Sequence, residues 1–342
     1  MAPVYQTTAS SPPWITTPCV KSLSLSASAH CEVHMKLEQF QPSGSFKSRG
    51  VGNLVWRVVQ RRSQMNHGSG AKTHFISSSG GNAGLATTTA AKMLGQDATV
   101  VVPETTGKYM RNKITAAGGN VIVHGPTWRE ADDYVRSLVA EDPSLAYVPP
   151  FDHEDIWEGN STIIDELYLQ FGGCPPSVIV CSVGGGGLLN GIMIGLDRYN
   201  WSDAVTVIAM ETEGADCLAA SVREGCIVTL PEITSIARSL GIKRVSDKTW
   251  EYSQMPNVKS VVLSDAQAAM ACVRLAEEEN IIAEPACGVS VAACYLPVLR
   301  EVVPDFCRDT KVVVILCGGS SISAETLVEY RSQYSAVMTA QL

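Results

Sequence analysis

Twice along this chain a short β-branched, apolar run stops at a glycine cluster and resumes as a helical pattern. The first case is Thr73–Ser77 followed by Ser77-Ser78-Ser79-Gly80-Gly81-Asn82-Ala83-Gly84. The second is Val178–Val183 followed by Gly184-Gly185-Gly186-Gly187-Leu188. A strand that turns directly into a helix must reach its next strand by a crossover, so this pattern commits the chain to a parallel sheet covered by helices.

The rest of the chain repeats that alternation. Further buried strands are expected at Ala98–Val102, Val121–His124, Thr206–Met210, Val258–Leu263 and Lys311–Leu316, each a short apolar run closed by a turn residue. Helices are expected at about Asn82–Leu94, Tyr109–Ala117, Trp128–Glu141, Asn160–Phe171, Leu188–Asp197, Asp265–Glu279 and Gly288–Leu299. A polar stretch at Gln64–Gly70 reads as a surface loop, and Pro149-Pro150 marks a break where the chain passes between domains.

Composition narrows the function classes. At 342 residues with 45% hydrophobic and 18% charged residues, the chain has material for a large core in two domains. A net charge of −8 argues against nucleic acid or an anionic membrane as partner, since both select a basic surface. No apolar run approaches the ~20 residues that span a bilayer, and the first thirty residues show no secretory or transit pattern, so a cytoplasmic location is expected. The eleven cysteines form no C-x-x-C pair and have no His at zinc-ligand spacing, so reduced, mostly buried thiols are expected for at least nine of them.

Both glycine turns invite an anion. A strand entering a helix through glycines points backbone N–H groups and the positive end of the helix dipole at one spot. For Ser77–Gly84, a capped tight turn explains the same residues equally well. Four consecutive glycines at 184–187 are harder to explain locally, because they cost backbone entropy at a helix start; close approach to a phosphate accounts for them. The cluster matches neither a Walker A loop nor a dinucleotide fingerprint, so one phosphate, and not a nucleotide, is expected.

Lys47 lies in Pro42-Ser43-Gly44-Ser45-Phe46-Lys47-Ser48-Arg49-Gly50, which reads as a compact turn. A lysine beside an arginine is usually a solvated charge. Flanked by Phe46 and a second cation, it instead has its pKa depressed and serves as an amine nucleophile or base. One such lysine with a phosphate cradle and a carboxylate cradle fits pyridoxal phosphate acting on an amino acid.

The strings KLEQFQPSGSFKSRG, SSSGGNAG, VVVPETT, PFDHEDIWEG, CSVGGGGL, ITSIARSLG, EPACG and LCGGSS, in this order from Val33 to Ser321, resemble the L-serine/L-threonine dehydratases among the fold-type II pyridoxal-phosphate enzymes, particularly fungal members. The resemblance implies an α/β, tryptophan synthase β-like fold, with two open, twisted, mostly parallel sheets flanked by helices. It implies a large domain of residues 1–48 and 149–342 and a small domain of residues 49–148, in a homodimer.

By the same resemblance, Lys47 holds the cofactor as a Schiff base and moves the α-proton, and Phe46 packs on the pyridine ring. Gly184, Gly185, Gly186, Gly187 and Leu188 bind the phosphate, Asn82 the phenolic oxygen, and Cys317 faces the pyridine nitrogen. Ser79, Gly80, Asn82 and Ala83 hold the substrate carboxylate, and Glu211 with Ala215 takes a monovalent cation such as K+. A thiol opposite the ring nitrogen cannot keep it protonated as an aspartate would, which weakens the electron sink and favours β-elimination over racemisation. Without the resemblance, Cys317 reads as a core thiol and Glu211 as a solvated strand end. Glu284 is expected near the cofactor with no assigned role, and His153 and Trp157 are expected to pack.

Two positions depart from or vary within the family pattern. Gly80 stands where relatives carry Gly, Ala or Ser, and Cys19 follows Pro18 where an aliphatic residue is usual. No regulatory domain is expected after residue 342. The expected activity is β-elimination of L-serine or L-threonine to pyruvate or 2-oxobutanoate and ammonia. The alternatives are β-replacement, racemisation, a step on a modified hydroxy amino acid, or cofactor binding without turnover.

Overall fold

The computed structural model describes residues 11–65 and 72–339. Most of the Gln64–Gly70 stretch therefore lies outside the described residues. Along the chain the strands are β1 (Cys19–Lys21), β2 (Glu32–Leu37), β3 (His74–Ser77), β4 (Asp97–Val102), β5 (Asn120–Val123), β6 (Leu145–Tyr147), β7 (Val178–Ser182), β8 (Thr206–Thr212), β9 (Val258–Leu263) and β10 (Lys311–Leu316). They form two sheets flanked by helices, and the described chain gathers into two compact units. One comprises residues 11–15 and Gln41–Asn160; the other comprises Thr16–Phe40 and the chain from Ser161 onward.

The first unit holds a four-stranded, wholly parallel sheet in the order β5-β4-β3-β6. Its pleat sends neighbouring residues to opposite faces. Phe75 joins Val51, Leu54, Ala86 and Ala90 in a core under helices Lys47–Met65 and Asn82–Met93. Ile76 and Val101 pack on the other face with Ala131 and Val135 of helix Trp128–Glu141.

Helices Lys47–Met65 and Glu154–Gln170 approach closely because glycine meets backbone at their contact. A β-carbon at Gly159 would lie 2.3 Å from the Arg49 carbonyl oxygen, and one at Gly50 2.7 Å from that of Ile156.

The second unit holds a six-stranded sheet in the order β1-β2-β10-β7-β8-β9, parallel except for the β1–β2 pair. Its centre is dry: Val312 to Leu316 of β10 and Val178 to Cys181 of β7 are fully buried. No described helix is long and apolar enough to cross a membrane.

Seven strands stand where sequence patterning places them; β1, β2 and β6 do not register in it. In β2 the pattern is masked by charge. Lys36 is wholly buried, donating to the Thr17 carbonyl at 2.7 Å and to Glu166 at 2.5 Å, so a central residue reads as polar.

Three helix expectations need correction. The Lys47 segment is not wholly a turn, since Lys47 is the first residue of a 19-residue helix. Gly288–Leu299 is two helices, Pro285–Tyr295 and Val298–Val302, because Pro297 cannot continue the hydrogen-bond ladder. The helix expected from Asn160 begins at Glu154, where His153 Nδ1 accepts from the Asp155 N–H at 3.0 Å.

Candidate active site

Both glycine turns sit at the carboxyl ends of parallel strands, the location where open α/β sheets bind ligands. In the first unit, Lys47 opens its helix straight after the turn at Gln41–Phe46. Its Nζ donates to the Pro150 carbonyl at 2.6 Å and lies 5.0 Å from the Phe46 ring centroid. The Ser43 and Ser48 hydroxyls, 2.7 Å apart, close the turn from beneath. Ser45 carries a buried hydroxyl with no hydrogen-bond partner among the described residues. A buried hydroxyl left unmatched two residues before the amine is compatible with a polar ligand supplying its bond.

The second element of this unit is the loop between β3 and helix Asn82–Met93. Gly81 caps the helix without a side-chain hydrogen bond, and the first turn of a helix leaves its N–H groups without intrahelical acceptors. The loop folds back tightly: a β-carbon at Gly84 would lie 1.9 Å from the Ser79 carbonyl oxygen, and one at Gly80 2.6 Å from Thr106 Oγ1. Ser79, Gly80, Asn82 and Ala83 thus lie at a helix start, where free backbone N–H groups and the helix dipole favour an anion.

In the second unit, Gly184–Gly187 lead from β7 into helix Gly187–Arg198. Gly186 adopts φ 94°, a left-handed conformation that glycine enters without strain. A β-carbon there would lie 1.7 Å from Thr249 Oγ1, and one at Gly184 3.1 Å from the Leu240 α-carbon. At Gly184 and Gly186 the loop is therefore walled on its far side and has no space for side chains, which fits a backbone that approaches a phosphate. Three residues that sequence reading passed over build that wall. Thr249 Oγ1 donates to the Gly185 carbonyl at 3.3 Å and to Asn190 Oδ1 at 2.9 Å. Asn190 Nδ2 donates to Ser246 Oγ at 3.1 Å, and the Ser246 N–H donates to the Gly185 carbonyl at 3.1 Å. Their signal in the sequence was only an ordinary Ser cap; nothing local connects residue 249 to residue 186.

Cys317 follows β10 and is buried. Ser182 Oγ donates to its sulfur at 3.6 Å. The hydrogen bond with Cys287, burial, and the nearby Glu284 carboxylate push the Cys317 thiol well above its ordinary pKa, so it stays neutral. Glu284 is buried at the start of helix Pro285–Tyr295 and accepts from Ser321 Oγ at 2.6 Å. A β-carbon at Gly319 would lie 2.1 Å from Glu284. Glu284 thereby shapes the loop that follows Cys317.

Glu211 is not a solvated strand end. It is fully buried in β8, and its carboxylate accepts the Leu218 and Ala219 N–H groups at 2.8 and 2.7 Å. Burial outweighs those two bonds and pushes its pKa up to about 8. Ala215 lies nearby in the turn, bridged to Thr212. Among the described residues no group of three or more His, Cys, Asp or Glu is placed to hold a metal ion.

Of the border residues, Trp157 packs on the core and donates to the Phe151 carbonyl at 2.9 Å, whereas His153 is a helix cap. All eleven cysteines are free. Seven are buried, Cys19 is half-buried, and Cys174, Cys226 and Cys307 are exposed, more surface thiols than the composition suggested.

A family model described as "Pyridoxal-phosphate dependent enzyme" matches residues 11–318. An L-serine dehydratase of Saccharomyces cerevisiae is 42% identical over 328 residues, covering 92% of this chain and 96% of that protein. A human serine dehydratase-like protein is 38% identical and covers 98% of this chain and 99% of its own length. The crystal structure of a fungal L-serine ammonia-lyase from Rhizomucor miehei superposes with a TM-score of 0.88 at 38% identity, over 95% of this chain and 100% of that one.

Proposed function

The chain belongs to the pyridoxal-phosphate-dependent enzymes, in the group of the L-serine dehydratases, and from that premise we propose that it converts L-serine to pyruvate and ammonia, and L-threonine to 2-oxobutanoate and ammonia. The observation that carries this reading is the placement of Lys47, an amine opening a helix beside Phe46 with its Nζ on the Pro150 carbonyl at 2.6 Å.

Pyridoxal phosphate, when bound, supplies an electron-accepting ring that stabilises negative charge at the substrate α-carbon. Lys47 would hold the cofactor through its Nζ, and the same amine would accept the substrate α-proton. Phe46 would pack on the cofactor's ring. The backbone of Gly184–Leu188 would bind the phosphate, with Thr249, Ser246 and Asn190 holding the loop in shape. Ser79, Gly80, Asn82 and Ala83 would orient the amino acid through its carboxylate, and Asn82 would also hold the phenolic oxygen. Cys317, a neutral thiol, would face the pyridine nitrogen without a charge to hold it protonated, which would favour loss of the β-hydroxyl over reprotonation at the α-carbon. A monovalent cation at Glu211 and the Ala215 carbonyl, and assembly as a homodimer in the cytoplasm, complete the proposal.

Incubating the purified holoenzyme with L-serine and L-threonine and assaying keto acid tests the reading directly. Its absence across serine, threonine and their hydroxylated analogues would refute it.

A further inference from the structure

Asp132 lies on helix Trp128–Glu141, and its carboxylate is almost wholly buried. One oxygen accepts from Ser78 Oγ at 2.6 Å and from the Tyr147 hydroxyl at 2.8 Å; the other accepts from Arg136 Nε at 2.7 Å. Arg136 also reaches the Tyr147 hydroxyl at 3.2 Å and lies 4.8 Å over its ring. Four side chains from the end of β3, one helix and β6 thus close on one another, all within the first unit.

Ser78 is the residue that joins this cluster to the candidate carboxylate loop. It is fully buried and stands immediately before Ser79. Its neighbour Ser77 has a buried hydroxyl with no partner, so the anchoring here runs through Ser78. A buried ion is a poor way to gain stability, because desolvation offsets most of the attraction; its better-attested use is to specify one geometry. Burial acts to raise the Asp132 pKa, but the bonds from Ser78, Arg136 and Tyr147 outweigh it and hold the carboxyl below its ordinary value. It is a permanent acceptor at working pH, and its bond to the Ser78 hydroxyl is charge-assisted and short.

We infer that Asp132 is a positioning residue for substrate binding: through Ser78 it fixes the loop that meets the substrate carboxylate. The inference rests on the reading of that loop as the amino-acid carboxylate site. Asp132 touches neither substrate nor cofactor, and its effect falls on the affinity for the amino acid while leaving the chemistry at Lys47 alone.

The test uses holoenzyme carrying Asp132→Asn, Ser78→Ala, both together, or Tyr147→Phe. KM and kcat for L-serine are measured, together with cofactor content and the dissociation constant of L-alanine, which binds as an amino acid but has no β-hydroxyl to lose, read from cofactor absorbance. Losing one charge-assisted bond predicts that each of the first two variants weakens L-serine and L-alanine about tenfold. kcat and bound cofactor should stay unchanged, and the double variant should be no weaker than Ser78→Ala, because both changes act on the same charge-assisted link. Tyr147→Phe, which keeps the Ser78 bond, should weaken binding less and serves if Asp132→Asn does not fold. Unchanged affinity with lowered thermal stability, or effects that multiply in the double variant, would overturn the inference. If wild-type enzyme binds L-alanine but forms no keto acid from any hydroxy amino acid, the dehydratase reading fails, and the L-alanine series still decides the role of Asp132.

Discussion

Thr249 fills the space that a side chain at residue 186 would need: a β-carbon built on Gly186 would lie 1.7 Å from Thr249 Oγ1. The same hydroxyl shares its one proton between Asn190 Oδ1 at 2.9 Å and the Gly185 carbonyl at 3.3 Å, so it cannot swing away without giving up that anchorage. Gly186→Ala therefore meets both a steric clash and an unfavourable left-handed backbone. It should destabilise the protein by roughly 1–3 kcal/mol and weaken cofactor binding. Thr249→Ala should restore part of the loss, since it removes the clash but not the backbone strain. Thermal melts with and without cofactor check both statements.

Lys47→Ala should abolish covalent cofactor attachment. Removing a base of this kind lowers turnover by roughly 10²–10⁴-fold, and the loss of attachment adds to that. Borohydride reduction followed by peptide mapping reads the attachment, and cofactor fixed at another lysine would move the site.

Gly80→Ala places a methyl group 2.6 Å from Thr106 Oγ1 and 2.8 Å from its Cγ2. The loop must shift outward to make room, so KM for L-serine should rise about tenfold (~1.4 kcal/mol), with a smaller rise when Thr106→Ala is added. Steady-state kinetics on the two variants settles the point.

Asp132 also sets an acid limit. Its pKa in the folded protein is depressed below the ordinary 3.8, so the stability it confers is fully present above that value and is lost as pH falls through the folded-state value. Wild-type protein should be more stable than Asp132→Asn at neutral pH, and the gap should narrow below pH 3.8. Denaturant midpoints measured across that range test the sign.

Thiol reactivity should separate surface from core. Cys174, Cys226 and Cys307 should react with Ellman's reagent in the native state. Cys317, buried and pushed up by Cys287 and Glu284, should react only on unfolding.

Strands buried on both faces were legible because they are continuous apolar runs, as in β7 and β10. What escaped were elements whose character comes from partners far along the chain. β2 carries Lys36, which is tolerable in a sheet because Glu166, Gln170 and the Thr17 carbonyl receive it. The helix starting at Lys47 was hidden by the Ser-Gly turn that precedes it and by glycines at 50 and 52, whose purpose at Gly50 is contact with the Ile156 backbone.

For the site the division is similar. Residue type and local spacing alone determined the alternating α/β plan, the two glycine turns and the single lysine beside Phe46, since a strand entering a helix through glycine is written in adjacent residues. Only the tertiary structure decided what stands behind those turns. Thr249 is 64 positions from Gly185 and Asp132 is 54 from Ser78, and hydrogen bonds across such separations have no signature in either local sequence. The same holds for Glu211, whose pKa of about 8 arises from complete burial, a property of the packed fold and not of a Met-Glu-Thr string.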